Sequence, residues 1–169
     1  MPEQETLERA REDAAEGKSP STQAGEFVRE TMEHIREGKH GARSTKQAIA
    51  IGLSKARRAG VKLPPPKKGT TSARTRRSAQ LASRAGKHPH KTNPTRSRAI
   101  KKALKHEGHS AASHQALSQQ AKQQARKRSP ARRTEIARKA AKTRLAHSTH
   151  AERSATARKA ARTRAKHHS

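Results

Sequence analysis

Apolar residues are sparse along this chain, and only two stretches carry them in a strong helical rhythm. Ala24, Phe27, Val28, Met32 and Ile35 recur at spacings of three and four, which predicts an amphipathic helix over 22–37. Ser21 or Thr22 is placed to cap its start, and Gly38 to end it. Thr45, Ala48, Ile49, Gly52, Leu53 and Ala56 form the apolar face of a second helix over 45–59, with Ser44 before it and Gly60 after it. Gly52 lowers helix propensity by about 1 kcal/mol relative to Ala, so its place on that face predicts close approach of a neighbouring helix. Gly38-Lys39-His40-Gly41 reads as the turn between the two, and a connection this short favours antiparallel packing. Val61 and Leu63 are placed to fold back on the pair before Pro64-Pro65-Pro66 stiffens the exit.

The remaining helices are weaker and are marked mainly by their boundaries. Leu7, Ala10 and Ala14 give residues 3–16 a thin stripe, broken at Lys18-Ser19-Pro20. Thr71 or Ser72 opens a stretch over 73–85, followed by Gly86. Asn93-Pro94 is a capping residue followed by Pro at the first helical position, opening about 94–107. Ser110 opens 111–128, Ser129-Pro130 repeats the cap-plus-Pro pattern for 130–147, and Thr149 with Glu152 has capping-box spacing for 150–166. The last two segments are an internal repeat. Residues 133–144 and 153–164 align at an offset of 20 with eight of twelve positions identical.

Composition changes this picture. Phe, Leu, Ile and Val number 15 of 169 residues, about 9%. With so few large apolar groups and a formal net charge of +28, disorder is the expectation for much of the chain. The predicted fold is therefore mostly α with extensive disorder: a small antiparallel helical hairpin plus a basic tail of short, loosely packed helices. In domain terms this is an acidic segment over 1–20, the hairpin over 21–63, a Pro-rich basic linker over 64–92 and the low-complexity tail over 93–169. With no Cys, disulfides, thiol catalysis and Cys-based zinc sites are excluded. No apolar run approaches the roughly 20 residues needed to span a bilayer, so a membrane role is not expected. The polar, acidic start lacks the apolar region of a secretory signal.

Charge is sharply divided. Residues 1–37 hold ten acids and five bases, near −5, while residues 38–169 hold 36 bases against Glu107, Glu135 and Glu152, near +33. Such asymmetry points to a polyanionic partner for the basic part. Lys and Arg that meet phosphates release condensed counterions, giving salt-sensitive binding that ignores sequence. The leading candidates are Arg138, Lys139, Lys142 and Arg144 with their repeat partners Arg158, Lys159, Arg162 and Arg164, and the neighbouring Arg132 and Arg133. A second candidate surface comprises Lys46, Lys55, Arg57, Arg58, Lys62, Lys67 and Lys68, continued by Arg74, Arg76 and Arg77. The acidic segment is a candidate to pair with the tail until phosphate displaces it.

Other chemistry fits poorly. Gly38-Lys-His-Gly-Ala-Arg-Ser-Thr45 fails the spacing of a nucleotide-binding phosphate loop, and no strand precedes it. His147 with His150, and His106 with His109, have helical spacing, but no acid or Cys completes a metal site. No cofactor, small-molecule substrate or catalytic group is expected. Single-strand readers and common RNA modules stack bases on aromatic rings, and Phe27 is the only aromatic residue apart from histidine. This favours duplex DNA over RNA as the nucleic-acid partner, with an RNA- or ribosome-associated protein as the alternative and a hydrophilic stress protector without a fixed ligand as a second.

Residues 36–69, from Arg36-Glu-Gly-Lys-His-Gly through Gly60-Val-Lys-Leu-Pro-Pro-Pro-Lys-Lys-Gly69, resemble the core of an uncharacterised bacterial family of short basic proteins. The preceding Gly17-Lys-Ser-Pro-Ser-Thr-Gln-Ala-Gly-Glu-Phe-Val-Arg-Glu30 belongs to the same resemblance, which covers roughly residues 1–70. Some members carry labels such as DNA-binding or plasmid-stabilising, and the resemblance implies a bacterial cytoplasmic protein; it brings no site residues, and the charge division makes a nucleoid-associated role the expectation. The Ala/Lys/Arg-rich remainder resembles bacterial histone H1-like tails in composition.

Overall fold

A computed structural model describes residues 2–88 and 93–167, and it corrects the expectation of extensive disorder. Eight α-helices, one 3-10 turn and no β-strand occur among the described residues. They are α1 (Gln4–Ala15), α2 (Pro20–Arg36), α3 (Thr45–Arg58), α4 (Ala73–Lys87), α5 (Pro94–Lys105), α6 (His114–Arg126), α7 (Pro130–His147) and α8 (His150–His167), with the 3-10 turn at Ser110–Ala112. The expectation failed because it weighed only large apolar side chains. Ala, Lys, Arg and Gln are strong helix formers, and a side chain at each of several helix starts accepts a backbone N–H that would otherwise be unsatisfied. Ser19, Ser44, Ser72, Asn93 and Ser129 all do this, accepting from Thr22, Gln47, Thr75, Arg96 and Arg132. Ser19 replaces the expected Ser21 or Thr22 as the α2 cap, so Ser19-Pro20 is a further cap-plus-Pro start.

The chain forms two compact units, residues 1–121 and 122–169. In the first, α2 and α3 pack antiparallel. Ala24 and Phe27 near the start of α2 meet Leu53 and Ala56 near the end of α3, while Met32 and Ile35 meet Ala48 and Ile49 at the opposite ends. Gly52 accounts for the tightness of the pair. A Cβ built there would lie 2.6 Å from the Val28 Cα and 2.9 Å from the Phe27 carbonyl oxygen. Phe27 and Ile35 are fully buried, worth roughly 2 kcal/mol each in apolar transfer. The rest of the core is largely alanine, so close backbone approach stands in for side-chain bulk.

The hairpin does not stand alone, which is a second correction. α1 lies against α2 with Thr6, Ala10 and Asp13 buried, and α4 lies against α3 with Ala79 and Ala82 buried. Gly86 lets α4 touch α3 directly, since a Cβ there would sit 2.2 Å from the Arg57 carbonyl oxygen. Residues far along the chain close the other end. The Gly41 N–H donates to Leu104 O (2.8 Å) and the Ala42 N–H to Gly108 O (3.0 Å). The Thr45 hydroxyl donates to Ala111 O (2.7 Å) and Arg36 Nε to Ala112 O (2.9 Å). Ala111 and Ala112 complete the core cluster around Met32 and Ile35, with Leu117 of α6 packed beside it. A Cβ on Gly41 would lie 1.9 Å from the Glu107 carbonyl oxygen, so this residue has to be glycine for the closure to form.

The second unit is built differently. Every side chain from Pro130 to Ala146 is exposed. Its helices depend on their own termini instead of on a core. Ser129 caps α7. At α8 the expected capping box is formed: the Thr149 N–H donates to Glu152 Oε2 (2.8 Å) and the Glu152 N–H to the Thr149 hydroxyl (3.3 Å).

Candidate nucleic-acid interface

The first question for any basic surface is which cations are already satisfied inside the protein. Among the described residues, every ion pair except Arg132–Glu135 lies within residues 3–55. Arg9 pairs with Glu26 (2.8 Å) and Glu5, Lys18 with Asp13 (2.8 Å), and Arg29 with Glu33 (3.2 Å). Lys39 and His34 both reach Glu3 Oε1, at 3.1 and 2.8 Å. Hydrogen bonds from His34 and then Lys39 hold the Glu3 carboxyl below the usual carboxylate range. The Asp13 carboxylate, followed by Glu16, raises Lys18 above the normal lysine range.

The acidic segment is a packed helix, and Glu3, Glu5, Asp13 and Glu16 in and around it pair locally with His34, Lys39, Arg9 and Lys18, while Glu8 and Glu12 stand exposed. The exposed cations of later segments face almost no carboxylate.

Two candidate contacts on α3 are also corrected. Arg57 is only 6% exposed. Its guanidinium donates to Leu53 O (3.5 Å) and Pro64 O (3.2 Å), tying the Pro-rich exit to α3. Its Nε is buried without a partner, and burial lowers the pKa of the group. Lys55 is held by Glu30, with Nζ 2.6 Å from Oε1. On the sequence both looked like surface cations, because three- and four-residue spacing does not reveal that Glu30 of α2 holds Lys55 or that the Pro run reaches Arg57. Arg76 is half-buried, with its Nε enclosed.

The other candidates are exposed: Lys46, Arg58, Lys62, Lys67, Lys68, Arg74 and Arg77 in the first unit, and Arg132, Arg133, Arg138, Lys139, Lys142, Arg144, Arg158, Lys159, Arg162 and Arg164 in the second. Arg132 reaches Glu135 at 2.5 Å. The structure adds cations that were not singled out beforehand. α5 has no buried residue and carries Arg96, Arg98, Lys101, Lys102 and Lys105 in the open. The signal for these was in the sequence as plain charge density, without a repeat to draw attention to it.

Among the described residues, no group of three or more His, Asp or Glu is arranged to hold a metal. The His147–His150 pair lies partly outside what the structure describes. No helix is long and apolar enough to cross a membrane.

These features define a class: an all-helical, strongly basic chain with cation-covered surfaces among its described residues. Residues 17–68 match a family of unknown function, DUF6496. That segment comprises α2, the turn closed by Leu104 and Gly108, α3 and the Pro-rich exit held by Arg57. No curated protein and no solved structure matches the chain.

Proposed function

We propose that this protein binds double-stranded DNA electrostatically and without sequence preference, as a nucleoid-associated protein of histone H1-like character. The observation that carries this reading is the segregation of ion pairs. Acids and bases neutralise one another within residues 3–55, while the exposed cations of α4, α5, α7 and α8 meet almost no carboxylate. Such cations gain most from phosphate, because each contact releases a condensed counterion. The described helices contain no ring to stack an unpaired base except Phe27 and histidines, and Phe27 is fully buried, which supports a duplex over a single strand. A titration of the full chain with a short DNA duplex at several salt concentrations tests the reading. Neutralising six phosphates gives a log–log slope of about −5. A slope near zero, or binding confined to one sequence, rejects it.

A further inference from the structure

The geometry of α7 and α8 points to a defined docking mode: we propose that each helix lies in the major groove of B-form DNA, floor inward, with cations on both groove walls. This rests on the duplex-binding reading above and names the surface of DNA that is engaged.

The arrangement follows from helical spacing. Ile136, Ala140 and Thr143 stand at i, i+4 and i+7, so they share one face of α7, and all three are exposed. Lys139 and Arg132 lie along one side of that face, and Arg133 and Arg144 along the other. Ile136, Lys139, Ala140, Thr143 and Arg144 together line a shallow surface concavity. The repeat reproduces most of the plan 20 residues later, with Glu152 standing where α7 has Arg132. Thr156, Ala160 and Thr163 take the central face, with Lys159 on one side and Arg153 and Arg164 on the other.

A helix resting on the outside of one phosphate strand needs cations on a single side. Cations flanking a neutral face on both sides match two phosphate walls with a floor between them. The major groove of B-DNA is about 12 Å wide and admits an α-helix, and 18 residues of α7 span about 27 Å.

The floor also explains why no sequence would be read. The Thr143 and Thr163 hydroxyls donate to Lys139 O and Lys159 O, both at 3.1 Å, and the Thr156 hydroxyl donates to Glu152 O at 2.8 Å. Hydroxyls spent on their own helix offer no proton to a base edge. Arg138 and Lys142 sit two residues on from Ile136 and Ala140, hence on the opposite side of the helix. They are left for phosphates outside the groove.

The test compares three duplexes of one length with the full chain at matched salt: plain B-DNA, the same DNA with bulky sugar groups on the cytosine 5-positions filling the major groove, and duplex RNA. The RNA major groove is deep and narrow and closed to side chains. Groove docking gives affinity for plain DNA about tenfold above either other duplex. Equal affinities with a steep salt slope overturn the docking mode and leave the duplex reading standing. Failure to bind any duplex overturns both.

A charge-neutral pair of variants checks the face. Ala140→Leu with Ala160→Leu thickens the floor, and Ala141→Leu with Ala161→Leu adds the same bulk away from it. Weaker binding by the first variant alone is expected. Equal effects from the two contradict the assignment.

Discussion

Lys55 Nζ lies 2.6 Å from Glu30 Oε1, joining the last turn of α3 to the middle of α2. The Glu30 side chain is 2% exposed and that of Lys55 is 19% exposed. Glu30 Oε2 also accepts the backbone N–H of Glu3, so one carboxylate ties three segments together. Removing one partner of a buried pair leaves an uncompensated charge, at a cost of about 3 kcal/mol. Lys55→Met should lower stability by that order in urea unfolding, and Lys55→Met combined with Glu30→Leu should recover most of the loss. Equal losses in the single and double variants would contradict this role for the pair.

The glycines of the first unit divide by what surrounds them. Gly52→Ala pushes a methyl group to within 2.6 Å of the Val28 backbone, and overpacking of this kind costs about 1–3 kcal/mol. Gly41→Ala meets the Glu107 carbonyl at 1.9 Å and should open the closure made by residues 104–112. Gly25, in α2 with nothing within 4 Å of its would-be Cβ, behaves in the opposite way. Gly25→Ala should stabilise by about 0.5–1 kcal/mol through helix propensity. Thermal melts of the three variants check both directions.

Arg57 and Arg58 are neighbours with different duties. Arg57→Ala removes donors from Leu53 O and Pro64 O and should cost about 1–2 kcal/mol of stability. Arg58 is exposed, so Arg58→Ala should leave stability within about 0.5 kcal/mol. In the DNA titration Arg58→Ala should reduce the salt slope by about 1 if that residue meets a phosphate. A loss of stability from Arg58→Ala and none from Arg57→Ala would reverse the assignment.

Acid should loosen the start of α8. The backbone N–H of Thr149, then its hydroxyl, hold the Glu152 carboxyl below the usual carboxylate range. A carboxylate with a depressed folded-state pKa contributes stability above its unfolded value, near 4.3, and loses it as pH falls through the folded value. Carbon chemical shifts at Arg153–Ala157 should therefore move towards coil below about pH 4. Glu152→Gln keeps a capping oxygen but does not titrate, so its shifts should stay flat over the same range.

Helix boundaries were the most legible feature of the chain. Asn93-Pro94, Ser129-Pro130, Ser44 and the Thr149–Glu152 box all act where the sequence places them. These are local signals, decided within four residues. The depth of packing was not legible. The burial of Ala79, Ala82, Ala111 and Ala112 depends on partners 20 to 80 positions away, and alanine carries no mark of being inside. Gly52 was readable because a glycine on an apolar helical face has few other reasons to be there. Gly41 and Gly86 were read as turn and terminator, whereas their nearest constraint is another segment's backbone.

In the candidate interface the same limit separated Lys139 and Arg144, exposed as expected, from Arg57 and Lys55. A cation's spacing tells which side of its own helix it occupies, and says nothing about the carboxylate or carbonyl that another segment brings to it.

The self-contained termini of α7 and α8 have a consequence for the growth of such a chain. Each 20-residue stretch brings its own starting cap, and α7 buries no side chain from Pro130 to Ala146. Adding or removing one whole stretch leaves the first unit its core. The length of the basic half is thus a variable separable from the stability of the other half.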